Sequence, residues 1–215
     1  MGKENENRID ELLKRIEKLE GVLVEIYSPT IKIHVLPGGR MPERKTDGAI
    51  GYDVYSRVIV SPFEMDPSNP RFRLTLFDFV NYPKDPVIAS HAVKREDGGY
   101  NYRMEPKESV LVDIGFVTEM PFPLFYWVTP RSGLASKERI TLTNAPGTVD
   151  PDYRGSAGVL VLNTNETPYI LEPQIRIAQV VFQWAVTPEI LLVDNYSDLQ
   201  ESVRGAGGFG STGLK

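Results

Sequence analysis

The chain has 215 residues, with 24 Lys and Arg against 29 Asp and Glu, a net charge of −5, two histidines and no cysteine. A net negative charge excludes general binding along a nucleic-acid backbone, which needs basic surface, and the missing cysteines exclude disulfides, thiolate chemistry and zinc–sulfur centres. Two histidines are too few for a histidine metal cluster, and without a signal-peptide pattern or a membrane-spanning apolar run the expectation is a cytoplasmic protein of one large domain with additions.

Residues 7–20 carry the one strong helical pattern. Ile9, Leu12, Ile16, Leu19 and Leu23 step by three and four, an a/d seam of about two heptads. Asn7 reads as the starting cap and Gly21 as the stop, and Asp10–Lys14 and Glu11–Arg15 place the acid first in i,i+4 pairs. This N-terminal extension, residues 1–23, packs either on its own subunit or on a neighbour as an oligomerisation helix.

From residue 24 the pattern is β as far as residue 203. Runs at Tyr52–Val60, Ser109–Val117, Leu124–Thr129, Ser156–Leu162, Arg176–Trp184 and Glu189–Val193 read as strands between Gly, Pro and Asn punctuation. Such spacing predicts a mainly β protein: a sandwich, jelly roll or barrel. His34, in the alternating run Ile31–Val35, reads as a strand residue; His91, in a polar connection, reads as exposed. Residues 64–104 read as an insertion without chemistry of its own, a hairpin or two on the surface. Within it Met65–Pro70 is a loop, Arg71–Val80 a strand, Pro83–Pro86 a turn and Glu96–Tyr100 a hairpin turn.

Four segments could carry chemistry, each with a plainer reading beside it. In Asp47–Ser56, Gly51 allows a tight approach and Asp53 could hold an arginine or a metal-bound water; the segment is equally an ordinary turn into a strand. In Pro130–Ala135, Arg131, the Ser132 hydroxyl and the Gly133 N–H could converge on phosphate oxygens, or form a plain turn. In Asn144–Gly155, the Asn144 amide can read a pyrimidine edge, Thr148 and Val149 can offer backbone groups, Asp150 is a candidate general base and Tyr153 a surface for a sugar. The alternative is a hairpin whose turn Asp150 caps. Residues 204–215 form a Gly-rich arm, with five glycines in the nine positions 205–213. Successive N–H groups there can nest an anion, with Arg204 and the Phe209 ring beside them; an idle terminus is the alternative. The match to G-x-G-x-x-G at 205–210 carries nothing, because no helix follows it.

Together with Arg176–Phe182, these segments resemble in order and spacing the five motifs of the trimeric dUTPase family, part of the dUTPase/dCTP deaminase superfamily. The resemblance covers roughly residues 45–60 and 105–215. It implies a jelly-roll β-barrel, a homotrimer with sites at subunit junctions, and Mg²⁺-dependent hydrolysis of dUTP to dUMP and pyrophosphate. On that reading Asp150 activates the water that attacks the α-phosphorus. Asn144 and the Gly147–Thr148–Val149 backbone read uracil, and Tyr153 packs on the deoxyribose. Arg131, Ser132, Gly133 and Gln179 hold phosphates, with Asp53 behind them orienting water or Arg204. The mobile arm of a third subunit supplies Arg204, Phe209, Gly210, Ser211 and Thr212. No side chain binds the metal directly; Mg²⁺ is held by the triphosphate and water.

Two departures bear on this. The fourth motif of the family has Gly-Asp where Gln174-Ile175 stand, which puts the local turn in question. A dCTP deaminase, alone or bifunctional, would need a glutamate on the strand after Asp150, where this chain has Leu160. A dUTPase-like regulatory binding module is the remaining alternative.

Overall fold

The computed structural model describes residues 2–207. The chain divides into two units, 1–185 and 186–215. The first opens with α1 (Gly2–Tyr27) and β1 (Lys32–Val35), then β2 (Tyr52–Tyr55), β3 (Val58–Asp66) and β4 (Asn69–Phe77). Next come α2 (Pro86–Ala89), β5 (Ala92–Lys94), β6 (Tyr100–Met104), β7 (Ser109–Asp113), β8 (Phe116–Glu119), β9 (Leu124–Pro130) and α3 (Ser132–Glu138). The unit closes with β10 (Ile140–Leu142), β11 (Gly147–Val149), β12 (Gly158–Asn163), β13 (Tyr169–Leu171) and β14 (Arg176–Trp184).

The fold is mainly β, as expected. A five-stranded sheet, β10-β12-β7-β3-β4, and a four-stranded sheet, β11-β9-β14-β2, carry most of it, with smaller sheets β13-β6-β5 and β1-β8. Every pairing is antiparallel. Strands alternate between faces, so β12 buries Val159, Val161 and Asn163 and turns the residues between them outward. The core joins Val54, Tyr126, Val128 and Val180 of the four-stranded sheet to Ile59, Val112 and Val161 of the five-stranded one. Removing these side chains from water is the main stabilising term.

Two runs expected as single strands are broken, each where the chain changes sheets. Tyr52–Val60 splits at Ser56–Arg57. The buried Ser56 hydroxyl donates to the Glu172 carbonyl at 2.7 Å and accepts from the Ile175 N–H at 3.1 Å. Ser109–Val117 splits at Ile114–Gly115, where Gly115 has φ +81° and Asp113 Oδ1 accepts the Gly115 N–H at 2.7 Å. Residue-level β preference cannot register such a break, because both sides of it are strand.

Other expectations are corrected. The helix does not stop at Gly21 or start at Asn7; it runs through both. Interior glycine lowers helix stability by only about 1 kcal/mol, and apolar and charged helix formers continue on both sides. Its seam is exposed: Ile9, Leu12, Ile16, Leu19 and Leu23 are each about half accessible. Glu189–Val193 is not a strand, since a strand is a pairing and this run pairs with none among the described residues. The described part of the second unit instead has exposed Ile190, Leu191 and Leu192, one turn of 3₁₀ helix at Tyr196–Asp198, and a turn closed by Arg204 Nε donating to the Gly207 carbonyl at 2.8 Å.

The 64–104 insertion is only partly superficial. Its loop and first strand become the β3–β4 hairpin, tipped by Asp66 accepting from the Ser68 N–H at 2.8 Å. Pro86 opens α2, capped by Asp85, instead of closing a turn, while Glu96–Tyr100 does turn between β5 and β6. Phe77, Phe79, Tyr102 and Met104 are buried in the main core. His91 is not exposed: its side chain is 18% accessible, stacked on Tyr102 at 4.7 Å. Periodicity alone hid these contributions, because the buried residues sit at the base of hairpins whose tips are polar.

Gly115 supports the crossing backbone directly. A Cβ there would lie 2.7 Å from Gly39 Cα, in a positive-φ conformation. Gly115→Ala is therefore expected to destabilise the protein by roughly 2 kcal/mol or more, read as a lower midpoint in chemical denaturation.

Candidate active site

The residues singled out by sequence gather at two places on the sheet β11-β9-β14-β2: at the strand ends where β2, β9 and β14 bring Asp53, Arg131 and Arg176 together, and along the edge strand β11.

The first cleft centres on Asp53. This buried carboxylate accepts from Arg131 Nε at 2.7 Å through one oxygen and from Arg176 Nη1 at 2.8 Å through the other. Arg131 also donates to the Arg176 carbonyl at 3.2 Å. Asp53 thus holds arginines, and both of its oxygens are engaged. The segment after Arg131 is neither a loop nor a plain turn: Ser132 and Gly133 open the short helix α3, so their N–H groups belong to its unpaired first turn. Gln179, on β14 across from Asp53, donates to the Pro130 carbonyl at 3.2 Å. Gly51 makes room for it, since a Cβ there would sit 2.3 Å from Gln179 Oε1. Arg40 and Lys45 join Arg131 and Arg176 along the cleft wall. The Tyr55 hydroxyl, followed by Lys45, holds the neighbouring Glu43 carboxyl below the usual carboxylate range.

The turn before Arg176 survives the loss of glycine. Gln174 takes φ +59°, the left-handed region where glycine is most at ease. Its N–H donates to the Ser56 carbonyl at 2.8 Å and its side chain to the Gly38 carbonyl at 2.7 Å. Those bonds offset the local backbone cost.

The second cleft gathers Asn144, Thr148, Val149, Asp150 and Tyr153 against an apolar wall of Leu111 and Leu160. β11 is an edge strand, paired only with β9. One row of its backbone N–H and C=O groups is therefore free to meet a ligand edge. Gly147 leaves space for the Asn144 amide, which a Cβ would approach to 3.1 Å. Gly155 does the same for the Tyr153 ring, at 2.6 Å from its Cζ. The Tyr153 hydroxyl donates to the Ser156 carbonyl at 3.2 Å. The Asp150 backbone makes the turn, its carbonyl accepting the Tyr153 N–H at 3.2 Å. The Asp150 carboxylate caps nothing: among the described residues it has no hydrogen-bond or ion-pair partner and is open to solvent.

The two clefts share no lining residue. Arg204 lies in the second unit, and Phe209, Gly210, Ser211 and Thr212 lie outside the described residues. Sequence reasoning did not name Arg176 as a site residue, although a charged residue opening an apolar strand was a usable signal. It also passed over Arg73, which the β3–β4 hairpin brings to the second cleft; only the long-range fold reveals that. Among the described residues no group of three or more His, Asp or Glu side chains stands where it could hold a metal ion, and no helix is long and apolar enough to cross a membrane.

The family model for dUTPase matches residues 99–213. A deoxyuridine 5'-triphosphate nucleotidohydrolase of Chlamydia pneumoniae is 44% identical over 108 residues, 50% of this chain and 73% of that protein. One from Rhizobium etli is 43% identical over 118 residues, 55% of this chain and 74% of that protein. Among solved structures, a Staphylococcus bacteriophage 80alpha dUTPase with dUpNHpp superposes with a TM-score of 0.61 at 22% identity, covering 87% of this chain and all of that one. A dUTPase of S. aureus phage phi11, whose structure describes the coordination of a structural Mg(II) ion, matches with a TM-score of 0.53 at 18% identity, over 78% of this chain and 98% of that one.

Asp53→Ala would leave Arg131 and Arg176 without their carboxylate. A loss of about 1–3 kcal/mol is expected, measured as the change in unfolding free energy in urea.

Proposed function

The chain belongs to the dUTPase family, and on that footing we propose that it hydrolyses dUTP to dUMP and pyrophosphate at sites shared between copies in a homotrimer. The observation that carries this reading is the separation of the two clefts. One chain offers an exposed carboxylate and a nucleoside-sized recess of about 370 Å³ along the β11 edge, and a separate recess with Arg40, Arg131 and Arg176 at the strand ends. A single extended nucleotide reaches both kinds of group when two copies meet.

Uracil lies against the edge of β11, read by the Asn144 amide and the backbone at Gly147, Thr148 and Val149. Close packing against this wall leaves no room for a 5-methyl group, and a fixed donor–acceptor pattern rejects cytosine. Tyr153 packs on the deoxyribose and excludes a 2′-hydroxyl. Asp150, free of other partners, takes a proton from the water that attacks the α-phosphorus. In the neighbouring copy Arg131, Ser132, Gly133 and Gln179 receive the phosphates, with Arg176 beside them and Asp53 holding both guanidinium groups in place. The arm of a third copy brings Arg204 to the γ-phosphate, stacks Phe209 on the base and adds donors at Gly210, Ser211 and Thr212. The chain has little covalent chemistry to perform; orientation and charge stabilisation supply the rate.

The described residues lack a carboxylate cluster, so they fit a metal carried in by the substrate better than one held by side chains. Mg²⁺ bound to the triphosphate and to water would spread the developing charge over the leaving pyrophosphate. The exposed seam of α1 and the exposed Ile190–Leu192 segment are apolar surfaces that copies of the chain would cover in the trimer. A substrate drawn from the nucleotide pool supports a cytoplasmic location. Deamination of dCTP is disfavoured by Leu160, an apolar wall residue where a proton-transfer group would be needed.

Asp150→Asn is expected to abolish pyrophosphate release while dUTP still binds, read by coupled phosphate assay and calorimetry; undiminished turnover would remove Asp150 as the base. Ending the chain after Val203 should leave a folded trimer with little activity, checked by light scattering and steady-state rates.

A further inference from the structure

The inserted β3–β4 hairpin flanks the nucleoside cleft, and it carries two arginines there. Arg73 lines that cleft together with Asp150 and Tyr153. It also lines an adjoining recess, again with Asp150 and Tyr153, that includes Arg71 and Ser156. Arg73 therefore stands at the junction of the two spaces, beside the carboxylate that activates water.

The hairpin is bent to put it there. Val60 pairs with Thr75 and Met65 with Arg73, so five steps along β3 answer two along β4. The surplus residues form a bulge pinned by Ser61 Oγ, which accepts the N–H groups of Phe63 and Glu64 at 3.3 and 3.0 Å. Bulges of this kind re-aim side chains. Arg73 Nη1 donates across the hairpin to the Pro62 carbonyl at 2.6 Å, which fixes the guanidinium.

Two groups in this place have unmet capacity among the described residues. Half-buried Arg73 has no carboxylate within salt-bridge distance among the described residues, unlike Arg57, Arg95, Arg131 and Arg176. Ser156, only 8% exposed, has a buried hydroxyl oxygen with no hydrogen-bond partner. A fixed cation without a counter-ion and an unpaired buried hydroxyl in one recess call for an anionic oxygen ligand.

We propose that Arg73, with the Ser156 hydroxyl, binds the phosphate adjoining the deoxyribose, so that the insertion adds an α-phosphate subsite to the nucleotide pocket. This rests on the dUTP-hydrolysing reading above, because it takes Asp150 as the group next to the α-phosphorus. The guanidinium donates to the non-bridging α-oxygens, whose charge changes as water attacks. It therefore acts on the ground state and the rate together.

The test compares dUMP with deoxyuridine as ligands of the full-length protein, beside dUTP turnover. In Arg73→Gln, dUMP affinity should fall roughly 10-fold or more while deoxyuridine affinity stays within about twofold, and kcat for dUTP should fall. Arg73→Lys should recover part of the dUMP affinity, and Ser156→Ala should weaken dUMP selectively while the thermal midpoint stays near wild type. Equal loss for dUMP and deoxyuridine, or no loss for either in folded Arg73→Gln, overturns the subsite. Wild-type protein that releases no pyrophosphate from dUTP would instead overturn the functional reading on which the subsite rests.

Discussion

One carboxylate between two guanidinium groups organises the strand ends of the four-stranded sheet. Asp53 rises from β2, Arg131 leaves the end of β9 and Arg176 opens β14. The three strands come from distant parts of the sequence, and the shared ion pairs lock their ends together. Buried charge of this kind contributes little to stability by comparison with an apolar substitute, because desolvation offsets attraction. Its return is geometric: two planar donors are held at fixed orientation, facing a cleft, before any ligand arrives. The backbone follows the same constraint. Gln174 accepts a left-handed conformation two residues before Arg176, and Ser56 ties that turn to the sheet crossing after Tyr55.

The β11 edge of the same sheet is built on a different principle. β11 has only three residues and one partner strand, so its outer backbone groups are unpaid by secondary structure. Its neighbours are shaped by absence: glycine at 147 and 155 makes room for Asn144 and Tyr153, and among the described residues the Asp150 carboxylate has no partner. The two clefts share no lining residue, so on the proposed reading they serve one nucleotide only through association, which the exposed apolar surfaces outside the sheets would favour.

What could be read from the sequence follows from the range of the interactions involved. β14 was legible from end to end because apolar, mostly β-favouring residues dominate it, with Ile177, Ala178 and Val180 buried and Gln179 to Gln183 otherwise half-buried. The sheet crossings at Ser56 and Gly115 were not, since they depend on hydrogen bonds to residues more than a hundred positions away or on a glycine conformation that many loops share. Gly21 and Asn7 were overread as helix signals, because local capping chemistry is weak against a favourable pattern on both sides. Asp53, Arg131 and Gln179 were legible as chemistry but not as a cluster, and Arg176 became a site residue only once β14 was seen beside β2. The buried roles of Phe77, Phe79 and Tyr102 were hidden by the polar turns around them.

The charge distribution completes the argument. The chain is acidic overall, so long-range attraction of an anionic nucleotide is weak, and selectivity must come from cations fixed at short range. Arg40, Lys45, Arg131 and Arg176 lie together at one cleft, paired by Glu43 and Asp53 and sharing the wall with Glu138 and Glu172, and Arg71, Arg73 and Arg154 stand with Asp150 and Asp152 at the recess beside the nucleoside cleft. Within such locally balanced charge, the guanidinium groups select a ligand by the geometry of their hydrogen bonds. On the proposed reading the α-phosphorus faces a water held by the Asp150 carboxylate, and the leaving pyrophosphate meets the arginines of a neighbouring copy. Reaction geometry would then follow from where the two clefts place their charges, and the inserted hairpin would extend that placement to the phosphate nearest the sugar.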